Sequence, residues 1–138
     1  MRLEITRKSD LAVRALCALA NRERMKGSDL ATVVGSSPGF MAQVMSPLVQ
    51  AGWVTSDPGP HGGYRLVASL EATSMLQVIE AIEGPTVNGR CVLRGGPCPD
   101  QVTCALHDAW VPAREALLER LAATPVSSAP DCVRVPSD

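Results

Sequence analysis

The stretch SDLATVVGSSPGFMAQVMSPLVQAGWVTSDPGPHGGYRLV (residues 28–67) carries helix and turn signals in an order that decides the fold. Ser28 could cap a short helix, and Gly35 is placed to end it in the left-handed conformation that glycine adopts readily. Ser37 and Pro38 then predict the N-cap and the first helical position of another helix. Two short helices joined by a tight turn containing glycine are typical of a helix-turn-helix.

A two-stranded ribbon is predicted directly after these helices. Residues 53–55 and 64–67 have the composition of short strands, and residues 57–63 between them are dense in glycine and proline. Outside this region, residues 9–22 and 74–83 place apolar side chains at helical spacing. The pattern predicts a mainly α fold with a small β-wing, that is, a winged helix-turn-helix.

The C-terminal third contains one long helical pattern followed by a change in composition. Residues 105–123 predict a helix with Pro112 inside it or close to its true start. Its apolar stripe consists of Leu106, Trp110, Ala113, Leu117 and Leu121. The pattern leaves open whether this stripe packs against its own core or against a second subunit. Residues 124–138 are rich in proline and serine and predict a disordered tail.

Composition excludes several classes of protein. The 138 residues are 46% apolar, enough for one packed domain. The charged N-terminus does not look like a secretory signal, and no apolar run approaches the length of a membrane span. These features predict a cytoplasmic protein whose thiols stay reduced, with Cys17 as a buried free thiol and Cys132 without a role. There is no nucleophile motif or phosphate-binding loop, so an enzyme is not expected.

Charge is distributed unevenly along the chain. Residues 1–67 contain eight Lys and Arg against five Asp and Glu, whereas residues 68–138 contain five against nine. A basic N-terminal half fits a module that binds double-stranded DNA. In a helix-turn-helix, residues near the start of the second helix contact the bases. Here these positions are Ser37, Gly39, Ala42, Gln43 and Ser46, and Gln43 could form a bidentate pair with adenine.

Three cysteines and a histidine form a constellation in CVLRGGPCPDQVTCALH, residues 91–107. Thiolates bind zinc and iron–sulfur clusters in proteins. Compact zinc sites usually pair ligands two to four residues apart, and here Cys91, Cys98 and Cys104 are more widely spaced. A cluster is larger than one ion and suits a wider loop with glycines. The spacing favours an iron–sulfur cluster and leaves open zinc or a site without metal.

The whole layout resembles the iron–sulfur winged-helix regulators of the IscR/NsrR (Rrf-two) family. The matching stretches are MRLEITRKSDLAVRALCALA, SSPGFMAQVMSPLVQAGWV, GPHGGYRL, MLQVIEAIEGP and the triplet of cysteines, together covering residues 1 to about 123. The resemblance implies a homodimeric transcription factor, joined through its C-terminal helix. It also implies that the three cysteines hold a 2Fe–2S or 4Fe–4S cluster.

The resemblance supplies two candidates for the fourth cluster ligand. In the IscR-like branch a histidine three residues after the last cysteine serves, and His107 occupies that position. In the NsrR-like branch an aspartate near the N-terminus reaches across the dimer, and Asp10 looks like that residue. His107 ranks first because it is local to the loop and imidazole is a good iron ligand.

The chain departs from the family pattern at the DNA-binding surface. Residues 38–51 contain no Lys or Arg, and Pro58 stands where the family commonly places an arginine before the wing glycines. Pro47 predicts a kink or an end to the helix near Met45. Phosphate contacts dominate affinity for DNA, so weak or salt-sensitive binding is expected. His61 and Arg65 are the wing residues expected to contact DNA.

These patterns predict a DNA-binding transcriptional regulator, a repressor, whose cluster senses nitric oxide, redox state or iron–sulfur supply. The expected division is a DNA-binding domain (1–67), a connecting helix and linker (68–90), a cluster loop (91–107), a dimerisation helix (105–123) and a tail. The alternative is a winged-helix module for DNA binding or protein interaction, stabilised by zinc and without a sensing role.

Overall fold

The computed structural model describes residues 2–93, 95–97 and 104–133. Within these residues the chain forms five α-helices, one two-stranded antiparallel sheet and one short 3₁₀ helix. This arrangement confirms the mainly α fold with a small β-wing. In chain order the elements are α1 (Arg7–Ala20), α2 (Gly27–Val34), α3 (Pro38–Gln50), β1 (Val54–Asp57), β2 (Gly63–Leu66), α4 (Met75–Glu83), α5 (His107–Ala123) and the 3₁₀ helix η1 (Val126–Ser128).

Helix α1 lies at the centre of the core and contacts α2, α3, α4, β2 and η1. Its side chains Leu11, Leu16 and Leu19 are almost completely buried, and they meet Leu30 of α2 and Leu48 of α3 in one cluster. Truncating a leucine in such a core to alanine typically costs about 2–5 kcal/mol. Aliphatic side chains fill the buried core, and the partly buried Phe40, Trp53 and Tyr64 pack against it.

Side-chain caps fix the ends of several helices. The Ser37 hydroxyl accepts a hydrogen bond from the Phe40 amide at 3.2 Å, and Gly35 ends α2 with φ = 74°, both as predicted. The prediction that Ser28 caps α2 is wrong, because that helix begins at Gly27 without a side-chain cap. Met25 pairs with Tyr64 through two backbone hydrogen bonds of 3.0 and 2.7 Å, and this pairing positions the start of α2.

Helix α3 continues through Pro47 to Gln50, so the predicted end near Met45 is wrong. Proline removes one helical hydrogen bond and costs about 3 kcal/mol within a helix. Met45 and Leu48, on either side of Pro47, are both fully buried. Burying side chains of this size contributes about 1.5–3 kcal/mol each, which offsets the cost of the proline.

The wing is a tight hairpin whose register pairs Val54 with Leu66 and Asp57 with Gly63. Its two adjacent glycines fit where a larger residue would not. A Cβ atom at Gly62 would lie 2.0 Å from the Asp57 carbonyl oxygen. Gly63 has φ = +137°, and a Cβ there would lie 2.5 Å from the Met25 carbonyl oxygen. The glycine pair therefore lets the wing close and lie against the segment before α2.

Helix α5 contains Pro112 and packs against α4, but none of its residues is buried. Within the predicted stripe Leu106 is 39% exposed and Leu117 is 52% exposed. Trp110 and Leu121 are only partly buried. The stripe therefore does not form part of the core of a single chain. None of the helices described between residues 2 and 133 is both long and apolar enough to cross a membrane.

The prediction of a disordered tail from residue 124 is wrong for residues 124–133. Val126 is fully buried, Ala129 is 3% exposed, and the Val126 amide donates to the Thr73 carbonyl at 2.9 Å. Two small apolar residues among prolines and serines form too weak a pattern to predict this packing. Residues 134–138 lie outside the described part of the chain.

A disulfide joins Cys17 of α1 to Cys132 of this C-terminal segment, with the Cα atoms 4.6 Å apart. The predictions of a free thiol at Cys17, of no role for Cys132 and of five reduced thiols are therefore wrong. The two cysteines are 115 residues apart in the sequence, and only the packing of the C-terminal segment on α1 brings them together.

Candidate functional site

A cavity of about 150 Å³ lies between the cysteine segment and the first turns of α5. The side chains that give it chemical character are Cys91, Cys104, His107, Trp110 and Arg114. Three of the predicted cluster ligands, Cys91, Cys104 and His107, therefore line one cavity. Cys98, the remaining predicted cysteine ligand, lies outside the described residues.

The backbone around Cys91 folds into a compact turn. The Cys91 amide donates to the Gly96 carbonyl at 2.6 Å, and the Gly95 amide donates to the Cys91 carbonyl at 2.9 Å. Gly95 has φ = 69°, a left-handed conformation that suits glycine. The glycines in this segment thus allow the chain to turn back tightly beside the buried Cys91.

The Sγ atoms of Cys91 and Cys104 lie 3.5 Å apart, with the Cys91 thiol donating to the Cys104 sulfur. Two thiolates bound to one tetrahedral metal at about 2.3 Å would have their sulfurs roughly 3.8 Å apart. The separation in this chain is close to that value and well beyond the roughly 2.05 Å of a disulfide. The two cysteines therefore fit a pair of ligands to one iron or one zinc atom.

His107 is the first residue of α5, and its amide donates to the Cys104 carbonyl at 2.9 Å. Its side chain is partly buried and lines the cavity. Even so, the described residues contain no group of three His, Cys, Asp or Glu side chains close enough to hold a metal ion. The complete ligand set therefore stays a prediction.

Asp10, the competing candidate for the fourth ligand, lies in the first turn of α1 and lines a different cavity, formed with Arg2 and residues 4–7. Its carboxylate is 3.8 Å from the Arg14 guanidinium. Asp10 is not among the described residues that line the cavity beside Cys91 and Cys104. Asp10 and the described cysteines therefore line separate cavities in this chain.

Arg114 is a cavity residue that the sequence analysis missed. Its Nε atom is buried, and none of the described residues accepts a hydrogen bond from it. His107, Trp110 and Arg114 are spaced i, i+3 and i+7, which places them on one face of α5. Extending the helical periodicity from His107 would have revealed the arginine.

The recognition helix α3 presents two distinct faces. Met41, Val44, Met45 and Leu48 are fully buried. The five positions predicted to contact bases are all exposed, namely Ser37, Gly39, Ala42, Gln43 and Ser46. Because one face of the helix is anchored in the core, the other is presented as a rigid, nearly uncharged surface.

A basic cluster lies beside the wing, formed by Arg22, Arg24, Lys26 and His61 around one cavity. Arg24 has a structural role: its guanidinium donates to the His61 carbonyl at 2.9 Å and lies 3.0 Å from the Asp57 carboxylate. Arg22 and Lys26 are exposed, as are His61 and Arg65 of the wing. Sequence reasoning missed Arg22, Arg24 and Lys26. These residues occupy every second position after α1, and this spacing indicates a local concentration of positive charge.

Comparison with known proteins places this architecture in a family. Residues 5–128 match the family described as "Rrf2: Iron-dependent Transcriptional regulator". The chain is 26% identical over 122 residues to Protein rrf2 of Nitratidesulfovibrio vulgaris, covering 86% of this chain and 81% of that protein. It is 31% identical over 111 residues to the HTH-type transcriptional regulator IscR of Vibrio campbellii, covering 78% of this chain and 66% of IscR.

A solved structure shows the same fold. CymR, the global cysteine regulator of B. subtilis, superimposes with a TM-score of 0.72 at 26% identity, covering 91% of this chain and 95% of CymR. The family description and the name of IscR both identify transcriptional regulators. The chain belongs to the Rrf2 family of winged-helix transcriptional regulators.

Proposed function

We propose that this chain is a homodimeric DNA-binding repressor that holds an iron–sulfur cluster and changes its operator affinity when the cluster is removed or modified. The signal would be nitric oxide, redox state or iron–sulfur supply. The observation that carries the proposal is the 3.5 Å separation of the Cys91 and Cys104 sulfurs at the start of α5. The resemblance to IscR over 78% of the chain supports it.

The cluster would be held by Cys91, Cys98 and Cys104, with His107 or Asp10 as the fourth ligand. When bound, it would supply one-electron chemistry and iron atoms that react with nitric oxide or oxygen. His107 supports the local alternative because it lines the same cavity as two of the cysteines. Asp10 supports a shared site, because it lines a separate cavity in its own chain and would reach the cysteines from a second copy.

Coupling between the cluster and DNA would pass through α5. The hydrogen bond from the His107 amide to the Cys104 carbonyl joins the cysteine segment directly to the first residue of that helix. Since no side chain of α5 is fully buried in its own chain, the helix is suited to lie between two subunits. Movement at its start would change the separation of the two α3 helices, to which binding of paired half-sites is sensitive.

DNA would be read by α3 and held by the wing and the basic cluster. Gln43 is exposed and suited to a bidentate hydrogen bond with adenine in the major groove. Arg65 and His61 on the wing, with Arg22 and Lys26 beside it, would contact phosphates. Arg22, Lys26 and Arg65 would supply the positive charge that α3 lacks.

The proposal is tested by anaerobic purification followed by measurement of iron, sulfide, visible absorbance and Mössbauer spectra. A brown protein containing iron and sulfide supports the cluster. A colourless protein containing zinc would instead establish the zinc-stabilised alternative, since the same sulfur separation also fits zinc. His107→Ala and Asp10→Ala identify the fourth ligand, with His61→Ala as the control because His61 lies on the wing.

Operator binding is then compared with and without the cluster. The probe is a DNA duplex selected from a random library by the cluster-loaded protein, and binding is followed by fluorescence anisotropy. We expect chelation or nitric oxide treatment to change the affinity at least tenfold. Equal affinity in both states would show that the cluster does not control DNA binding.

A further inference from the structure

The disulfide between Cys17 and Cys132 has one sealed sulfur and one accessible sulfur. Cys17 is fully buried in α1. Cys132 is only partly buried, and it lines a cavity of about 290 Å³ together with Asn21 and Glu71. The rate at which a thiolate attacks a disulfide depends on access to one of the two sulfurs. The bond is therefore open to a thiol reagent from the Cys132 side.

The C-terminal segment that carries Cys132 is packed tightly only in its first part. Val126 is fully buried and Ala129 is 3% exposed, so both belong to the core. After Ala129 the chain returns to the surface, where Pro130, Asp131 and Val133 are exposed. Burial of apolar side chains therefore holds the beginning of the segment and does little to hold its end.

The end of the segment has few other links to α1. The amides of Cys132 and Val133 both donate to the Ala129 carbonyl, at 2.9 and 3.2 Å, so these hydrogen bonds stay within the segment. The Asp131 carboxylate lies 3.8 Å from the Arg14 guanidinium of α1, and both side chains are partly exposed. Such an ion pair contributes little, because water screens it. Among the described contacts, the disulfide is the strongest link between this end and α1.

We propose that the disulfide between Cys17 and Cys132 is a reversible redox switch, which fastens residues 130–133 to α1 and releases them on reduction. The reductant is a dithiol. Its thiolate attacks the Cys132 sulfur, the bond to Cys17 breaks, and the Cys17 sulfur leaves as a thiolate that takes up a proton. The second thiol of the reagent then displaces Cys132, so the dithiol is oxidised to a disulfide by two electrons and the protein gains two thiols.

This switch differs from the proposed cluster in place and in chemistry. Neither Cys17 nor Cys132 lines the cavity beside Cys91 and Cys104. The switch exchanges two electrons with thiols and needs no metal. Because α1 packs against the helix-turn-helix and the C-terminal segment follows α5, the closed disulfide joins these two parts of the chain covalently.

The first test follows reduction of the folded, full-length protein by dithiothreitol, with alkylation of the thiols and mass spectrometry of the Cys17 and Cys132 peptides. We expect the rate to rise in proportion to the dithiothreitol concentration, because the thiolate attacks Cys132 in the folded state. A rate that levels off at the separately measured rate of unfolding would overturn the switch, since the bond would then be reached only after unfolding. Oxidised glutathione should restore the bond once the reductant is removed, and failure to do so would refute reversibility.

The second test measures amide order parameters of the isotope-labelled, full-length protein by nuclear magnetic resonance relaxation. On reduction we expect the values for Cys132 and Val133 to fall from about 0.85 to below about 0.6, with Val126 unchanged. Cys132→Ser should show the low values without reductant and should not respond to it. The matched control is Asp131→Asn, which removes the ion pair, keeps the disulfide and is expected to retain the wild-type values.

The outcomes decide this inference independently of the proposed function. Order parameters that stay high after reduction would show that packing alone holds the segment, and the release would be refuted. Low values in oxidised Asp131→Asn would assign the fastening to the ion pair and would also overturn the proposal. None of these measurements depends on iron, sulfide or DNA.

Discussion

Breaking the disulfide between Cys17 and Cys132 is expected to lower stability substantially. It closes a loop across a sequence separation of 115 residues. The restriction of chain entropy in the unfolded state predicts about 5 kcal/mol for such a loop, and measured effects commonly fall at about 2–4 kcal/mol. Cys132→Ser is the better perturbation because Cys132 is only partly buried, whereas Cys17 is fully buried.

We expect Cys132→Ser to lower the free energy of unfolding by about 3–5 kcal/mol and Tm by roughly 10–15 °C. The assay is urea and thermal unfolding of the metal-free protein in non-reducing buffer, followed by circular dichroism. Wild type in reductant should match Cys132→Ser, and reductant should not affect the variant itself. If mass spectrometry confirms the disulfide but the two proteins unfold within 2 °C of each other, roughly the precision of such scans, the entropic reasoning is refuted.

Three further predictions concern DNA binding. Gln43→Ala should weaken binding to the selected duplex by about 1–3 kcal/mol and relax the preference at one base pair, as read by anisotropy with single-base variants. Gly62→Ala should disrupt the wing, because its Cβ would lie 2.0 Å from the Asp57 carbonyl oxygen; we expect a lower Tm and weaker DNA binding, and wild-type values of both would contradict the steric argument. The double variant Arg22→Gln, Lys26→Gln should reduce the magnitude of the slope of log K against log salt by about 0.9 for each DNA phosphate that it no longer neutralises. The control is Lys8→Gln, which lies outside the basic cluster.

Local signals in the sequence accounted for the helix-turn-helix and the wing. The cap at Ser37, the left-handed turn at Gly35 and the hairpin between β1 and β2 depend on neighbouring residues, so their patterns were visible without a structure. The continuation of α3 through Pro47 was not predictable in this way. It depends on the burial of Met45 and Leu48 against other helices, which is a tertiary effect that overrides local preference.

Long-range contacts explain the other differences. The C-terminal segment is held by Val126, which packs in the common core, and by the disulfide to Cys17, and both depend on residues distant in the sequence. The candidate site likewise contains residues that local sequence could identify and one residue that it could not. The cysteine segment and His107 are close in sequence and were recognisable, whereas Arg114 joined the site only through the turn of α5 and its position over the cavity.

The lack of buried residues in α5 has a thermodynamic consequence. A 17-residue helix with no fully buried side chain gains little free energy from its own chain. A second copy that covers the exposed Leu117 would stabilise it by mass action, in proportion to the logarithm of protein concentration. Dilution alone should therefore loosen α5 and with it His107, one of the two proposed fourth ligands. Cluster lifetime would then depend on how much of the regulator is present.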